Sequence, residues 1–309
     1  MIGIYAFGHG GGVPGPIPGT PVTASGNTNF AIIPNLSLKE VTDLARTMRG
    51  VLPGLPEGIM ALGHALTTGP IAELLAKKPY WLIDCGPETA LELCGVSVNG
   101  SLSLAVSQNC KGIFLTHCHD DHAGGIKSLG YRFKYIDKIK PHLYVPQEML
   151  PLIEKITAEM LYHNPTVTDR SLGSYYDVKT YDSCEITRNL RLRSFDVDHN
   201  CFGPNGERFP AFGYEMTTPS EKTIVFSGDT ARPLAEGVIR NADLVIHDVQ
   251  FYNDGAENNH VHCPFAQLDA VVATPETAKR VLLTHTAHDL PLMACHYQLL
   301  RGRTLLVIE

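Results

Sequence analysis

The segment Thr116 to Gly125, THCHDDHAGG, places His117, His119, Asp121 and His122 within six consecutive positions, directly after the apolar run GIFL. Neutral imidazoles and a carboxylate are the donors that zinc and similar borderline divalent metals prefer. In an extended loop the His-x-His spacing turns both rings to one side, because side chains two residues apart share a face. Asp121 and His122 then fall at the turn into a helix, free to reach a second cation. The chemistry implied is metal-assisted hydrolysis, in which cations polarise an acyl or phosphoryl oxygen and lower the pKa of a water toward neutrality. A lone histidine is more often a core or surface residue than a ligand; four donors in so short a span reverse that reading.

A dinuclear hydrolytic site needs more donors than one loop supplies, so isolated histidines and aspartates are expected at later strand ends. His199 ends the run LRLRSFDVDH, Asp229 follows TIVFSG, and His285 follows VLLT. Packing gives an apolar strand end no reason to carry an imidazole or a carboxylate, although any one of the three could serve as a cap.

The elements that must hold these donors are short. Apolar runs predict strands at Ile2 to Phe7, Asn29 to Ile33, Tyr80 to Ile83, Ile113 to Leu115, Leu143 to Val145, Leu190 to Val197, Phe212 to Met216, Thr223 to Phe226, Leu244 to Ile246, Val281 to Leu283 and Leu305 to Ile308. Between Ser37 and Lys78 the spacing of Leu, Ala, Met and Ile predicts two helices broken at Gly50 to Pro56, a helical insertion. Strands interleaved with only some helices fit two packed sheets covered outside by helices. With neither a low-complexity linker nor a repeat, a single domain over residues 1–309 is expected. The Gly- and Pro-rich opening lacks phosphate-loop spacing, and the basic run Arg132, Lys134, Lys138 and Lys140 reads as a solvated face.

Composition excludes several classes. At 309 residues, 44% apolar and 18% charged, the chain has ample core material. With 25 basic against 32 acidic residues it carries −7, so no general field attracts a nucleic-acid backbone. Neither a signal segment nor a long apolar run is present, so a soluble, cytoplasmic protein with no membrane partner is expected. The eight cysteines contain no C-x-x-C pair and read as reduced thiols.

Taken in order, H-x-H-x-D-H at His117 to His122, WLIDCGPET at Trp81 to Thr89, DH at Asp198 to His199, GDT at Gly228 to Thr230 and LTH at Leu283 to His285 resemble the metallo-β-lactamase superfamily over nearly the whole chain. The resemblance implies an αββα sandwich with a dinuclear centre at one edge between the sheets. His117, His119 and His199 would hold one cation and Asp121, His122 and His285 the other, with Asp229 bridging. It further implies two divalent cations, zinc with manganese or iron as alternatives, about 3.5–4 Å apart and sharing a hydroxide nucleophile. Asp84 would orient a ligand imidazole. Two dications, two carboxylates and a hydroxide leave roughly +1, which suits a monoanionic phosphodiester.

An oxygen bridge at Asp229 argues against a thiolate-ligated lactamase. The stretches FGYEMTTPSEKTIVFSGDTAR and ENNHVHCPFAQLDAVV resemble the branch holding tRNA 3′-processing endonucleases and the cyclic-phosphate phosphodiesterase of the carbon-phosphorus lyase pathway. There His262 matches a histidine that protonates the leaving oxygen, His247 and Asp248 match a supporting pair, and His288 matches a substrate contact; His9 and His260 are weaker candidates. Departures are equally specific. Pro141 to Asp198 contains no basic Gly/Pro-rich arm, no cysteine precedes Cys85, and neither 37–78 nor the turn Asn200 to Arg208 has a counterpart. The expectation is a phosphodiesterase acting on a small or cyclic substrate, with Asp121 and His262 catalytic. The alternatives are lactone or carboxylic-ester hydrolysis, tRNA 3′-processing, and a noncatalytic metal-binding sensor; the apolar faces of 37–78 offer a homo-oligomer contact.

Overall fold

A computed structural model describes residues 1–7, 28–48, 51–52, 54–62, 69–96, 104–160, 171–199, 201–202, 206, 208–249, 262–272, 274–285, 297–300 and 303–309. Eight strands from the first part of the chain enter one sheet: β1 (Ile2–Ala6), β2 (Phe30–Ile33), β3 (Val51–Leu52), β4 (Ile59–Leu62), β5 (Tyr80–Ile83), β6 (Cys110–Phe114), β7 (His142–Val145) and β8 (Asp177–Thr180). The chain then crosses to a second sheet through β9 (Ser183–Thr187) and β10 (Leu190–Asp196) and forms a two-stranded ribbon, β11 (Cys201–Phe202) with β12 (Arg208–Phe209). It continues the second sheet with β13 (Phe212–Thr217), β14 (Thr223–Phe226), β15 (Leu244–Asp248), β16 (Val281–Thr284) and β17 (Gln298–Leu299). The last strand, β18 (Leu305–Ile308), returns to the first sheet between β1 and β4.

Three apolar layers hold these sheets. Between them Ile2 and Ile4 of β1 meet Phe114, Tyr214, Phe226, Ile246 and Leu282. Alternation sends Tyr5 of β1 and Leu82 of β5 outward instead, against Val41 and Leu44 of α1 (Leu38–Thr47), Ile71 and Leu75 of α2 (Gly69–Lys77), and Ala90 and Leu93 of α3 (Pro87–Leu93). The same layer takes Ala123 of α4 (Asp120–Ala123), Ile126 and Leu129 of α5 (Ile126–Tyr131), and Ile153 of α6 (Leu150–Met160). Beyond the second sheet, α7 (Glu236–Asn241), α8 (Phe265–Val272) and α9 (Pro275–Ala278) pack Ile239, Leu268 and Ala278 against Val225, Val245 and Leu283. Strands β14 to β16 are near-continuously apolar because both faces are covered. Each such Val, Leu or Ile contributes about 1.5–3 kcal/mol by leaving water. The layering is the expected αββα sandwich.

Two readings of the chain change. The span 37–78 holds both predicted helices, α1 starting at a capping box between Ser37 and Glu40. However, β3 and β4 lie between them and join the first sheet, β4 pairing with β18. Ile59, Ala61 and Leu62 of β4 are buried, and the all-apolar run IMAL carries no alternation to set it apart from the helical spacing around it. The basic run is not simply solvated: Arg132 Nε pairs with Asp137 at 3.0 Å and Lys134 Nζ lies 4.5 Å from the Tyr175 ring centre. Among the described residues no helix is long and apolar enough to cross a membrane.

Candidate metal centre

Strand direction collects the donors. Strands β5 and β6 are parallel, as are β14, β15 and β16; β10 is antiparallel to β13, which is antiparallel to β14, so β10 runs with β14. Their carboxyl ends carry Asp84, His117 and His119 on one sheet, and His199, Asp229, Asp248 and His285 on the other. The backbone there is unusual: Asp84 and His285 adopt φ 62° and 57°. Such left-handed residues cost about 1–3 kcal/mol each and persist where their surroundings over-determine them. The helix start after the histidine loop is tied to β5 by Cys85 N–H to the His122 carbonyl at 2.6 Å and Gly125 N–H to the Cys85 carbonyl at 2.8 Å. Glycine is required at 125, where a Cβ would stand 2.3 Å from the Gly86 carbonyl oxygen.

One carboxylate orients two imidazoles. Asp84, 2% exposed, accepts the Thr116 N–H and hydroxyl, both at 2.7 Å, and His122 Nδ1–H at 2.8 Å. The Thr116 hydroxyl, having donated to Asp84, accepts from His117 Nδ1 at 3.0 Å. This network assigns the proton to Nδ1 in both rings and leaves Nε2 of each as the donor atom for a cation.

His117 Nε2 lies 3.0 Å from His119 Nδ1, which lies 3.2 Å from His199 Nε2. These are close to the ~3.3 Å edges of a tetrahedron with zinc–nitrogen bonds of about 2.0–2.1 Å. Asp229 Oδ2 stands 3.7 Å from His117 Nε2. A second set faces it: His122 Nε2 and His285 Nε2 are each 3.5 Å from Asp121 Oδ2, and Asp229 lies 3.3 Å from the first and 3.5 Å from the second. Asp229 therefore stands between both sets. His122 Nε2 and both ring nitrogens of His285 are buried without a hydrogen-bond partner. Buried imidazole nitrogens of that kind, facing carboxylates, fit a cation.

Electrostatics agree with this arrangement. Burial is the largest influence on His117 and, with His122 beside it, holds the imidazole well below its ordinary value. Burial alone would raise Asp229, but His122, His285 and His262 hold it well below the usual carboxylate range. Asp121 is depressed likewise, burial being outweighed by His122 and His285. Asp84 moves the other way, raised by burial against the pull of His122 and Thr116. Burial pulls His122 down, but the Asp229, Asp121 and Asp84 carboxylates outweigh it and hold this imidazole well above its ordinary value, so a cation at its Nε2 would displace a proton there.

His262 joins the cluster from the segment before α8. Its Nδ1 lies 3.1 Å from Asp248 Oδ2, which also accepts the Thr230 N–H at 2.9 Å, and its ring stacks on His285 at 4.3 Å between centres. Burial pulls its pKa down, yet the Asp248 and Asp229 carboxylates outweigh that and raise it to about 9. His247 is not with the donors. Its Nε2 accepts the Leu234 N–H at 3.1 Å and its Nδ1 donates to the Asp248 carbonyl at 2.6 Å, so it braces β15 against the outer layer. His9, His260 and His288 lie outside the described residues.

Ten predicted residues thus converge: Asp84, His117, His119, Asp121, His122, His199, Asp229, Asp248, His262 and His285. Sequence reasoning missed Thr116 and Asn29. Asn29 Oδ1 accepts the Gly86 N–H at 2.7 Å and its amide donates to the Asp121 carbonyl at 3.3 Å. A polar residue opening an apolar strand was the only signal for Asn29; the threonine inside the histidine motif was the signal for Thr116.

Two sheets between helical layers, with this edge of histidines and aspartates, define a metallo-β-lactamase-fold hydrolase. The metallo-β-lactamase fold protein YhfI from Bacillus subtilis superposes with a TM-score of 0.59 over 99% of each chain, at 13% identity. The chain belongs to the Anti-Pycsar protein Apyc1 family, whose model matches residues 72–297. It is similar to the Apyc1 of Paenibacillus sp., 26% identical over 219 residues, 68% of this chain and 78% of that protein. It is also similar to ribonuclease Z of Bacillus velezensis, 23% identical over 271 residues, 75% of this chain and 85% of the other.

Proposed function

We propose that the protein is a dinuclear metal-dependent phosphodiesterase acting on a small or cyclic phosphodiester in the cytoplasm. The observation that carries this reading is Asp229, placed between the His117, His119 and His199 set and the Asp121, His122 and His285 set. Two divalent cations, zinc first, with manganese or iron as alternatives, would be held by those sets with Asp229 shared, and would supply a polarised phosphoryl oxygen and an activated water.

The chain's own residues do the rest. Asp84 and Thr116 keep the ligand imidazoles in the required tautomer. Asp121, its burial outweighed by His122 and His285, stays charged and would orient the attacking water by accepting a hydrogen bond. His262, with Nδ1 engaged by Asp248, keeps Nε2 to deliver a proton to the leaving alkoxide. Without cations burial is outweighed by the Asp248 and Asp229 carboxylates, which raise its pKa to about 9, and Asp248 at Nδ1 favours the protonated ring. A phosphodiester with a poor leaving group needs such a donor; a nitrophenolate does not. Six cysteines among the described residues form no disulfide, which suits the reducing cytoplasm.

The test is hydrolysis of bis(p-nitrophenyl) phosphate by metal-reconstituted protein, beside a lactone and a nitrophenyl carboxylate ester, with Asp121→Ala as control. Preferential phosphodiester turnover, lost in the variant, is expected. Turnover of the lactone or ester alone would replace this reading with acyl hydrolysis.

A further inference from the structure

The turn between His199 and β13 has no role in the chemistry above, yet it is built into the site's edge. The β11–β12 ribbon pairs Cys201 with Phe209 and Phe202 with Arg208, so the chain leaving His199 folds back and presents Arg208 beside Asp198. Asp198 Oδ1 accepts from Arg208 Nη2, and its Oδ2 lies 3.0 Å from Arg232 Nε. Asp198 adjoins the ligand candidate His199, and Arg232 follows Asp229 by three residues. The two loops are also joined by the Ala231 N–H to the Asp198 carbonyl. Arg232 itself is set by Thr230, whose hydroxyl donates to the Arg232 carbonyl at 2.8 Å and whose N–H is held by Asp248.

One carboxylate between two guanidiniums leaves a surplus positive charge, in a chain of net −7. The Arg208 and Arg232 side chains are 51% and 76% exposed, so N–H donors on both remain open. A guanidinium offers five donors in a planar fork that matches paired oxygen acceptors. An exposed ion pair alone would be worth little. Two forks fixed by one carboxylate, on loops that carry site residues, are preorganised for a ligand.

We propose that Arg208 and Arg232, positioned by Asp198, form a clamp for oxygen acceptors of the substrate outside its scissile phosphate. This deepens, and rests on, the phosphodiesterase reading. The acceptors belong to a nucleoside base carbonyl or to a second phosphate, and two substrates separate these sources: a 3′,5′-cyclic uridine monophosphate has only the first, a cyclic diuridine dinucleotide has both.

The experiment compares KM and kcat of wild type, Arg208→Ala, Arg232→Ala, the double variant and Asp198→Asn on both substrates, in the metal-reconstituted protein. A charge-assisted contact is worth about tenfold, so each arginine variant raises KM about tenfold with kcat within about twofold. The double variant raises KM further and flattens the fall of kcat/KM with salt. Asp198→Asn gives a smaller rise, about threefold, because both forks remain but lose their fixed geometry. A KM rise on both substrates assigns the base carbonyl, and one confined to the dinucleotide assigns the second phosphate. Unchanged KM in the double variant, or equal loss of kcat with KM intact, overturns the clamp while leaving wild-type turnover as evidence for the phosphodiesterase. Should wild type turn over neither substrate, hydrolysis of bis(p-nitrophenyl) phosphate decides the phosphodiesterase reading, and calorimetric binding of a cyclic-nucleotide phosphorothioate decides the clamp. Weaker binding in the double variant keeps it, and equal or absent binding ends it.

Discussion

Replacing Asp84 by alanine should disturb both halves of the centre at once, although Asp84 touches only one ligand candidate directly. Its carboxylate accepts three hydrogen bonds of 2.7–2.8 Å, from the Thr116 N–H, the Thr116 hydroxyl and His122 Nδ1. Alanine leaves the buried Thr116 N–H unpaired, which costs about 1–3 kcal/mol. The hydroxyl can rotate and lose less. Alanine also tolerates φ 62° less well than aspartate, whose short polar side chain suits the left-handed region. Against these stands the relief of burying one carboxylate fewer. The expected net loss in the metal-free protein is about 2–4 kcal/mol, read by urea unfolding. The second effect is on cations. His122 loses its orienting acceptor, and His117 loses the fixed Thr116 hydroxyl, so zinc competition should show both binding steps weakened about 10–100-fold. Thr116→Val, which keeps the N–H to Asp84, should weaken chiefly the His117 step. An Asp84→Ala protein within about 0.5 kcal/mol of wild type, with unchanged zinc affinity, would refute the relay from Asp84 through Thr116.

Three further outcomes are expected. In the metal-free protein His262 is raised from 6.5 to about 9, so the stability it contributes is complete below 6.5 and lost as pH rises through 9. NMR titration should place its midpoint near the upper value, and Asp248→Asn should bring it down. His247→Ala should lower the melting temperature, through loss of its bonds to Leu234 and Asp248, while leaving the bound metal per protein unchanged in elemental analysis. Gly125→Ala forces a Cβ to within 2.3 Å of the Gly86 carbonyl, so the start of the histidine helix must shift. The cost should reach about 1–3 kcal/mol by denaturant unfolding, with metal affinity falling alongside.

Most of the centre was legible because its donors end apolar strands, where nothing in packing explains them. Asp229 and His285 stand out in TIVFSGD and VLLTH for that reason. Strand runs such as VLLT and LLVI fit two packed sheets, and it is the resemblance carried by the ordered motifs that implies the αββα sandwich. What escaped was held by backbone contacts rather than by pattern. Nothing in PYWLID indicates that Asp84 turns left-handed to meet Thr116, nor that Asn29 spans from Gly86 to Asp121. Strands β3 and β4 escaped because the short apolar run Ile59 to Leu62 shows no alternation and carries less signal than two flanking helices. His247 had the credentials of a site residue, a histidine beside an aspartate at a strand end. Alternation along β15 nevertheless turns it to the outer layer, against Leu234, while Asp248 faces the site.

In the proposed function two cations, sharing Asp229, make this edge hydrolytic toward phosphodiesters. That function is tested most directly by titrating the metal-free protein with zinc while following bis(p-nitrophenyl) phosphate hydrolysis. Turnover should climb until about two equivalents are bound and then level, with Asp229→Ala inactive throughout. Turnover complete at one equivalent, or none with both sites filled, would contradict it.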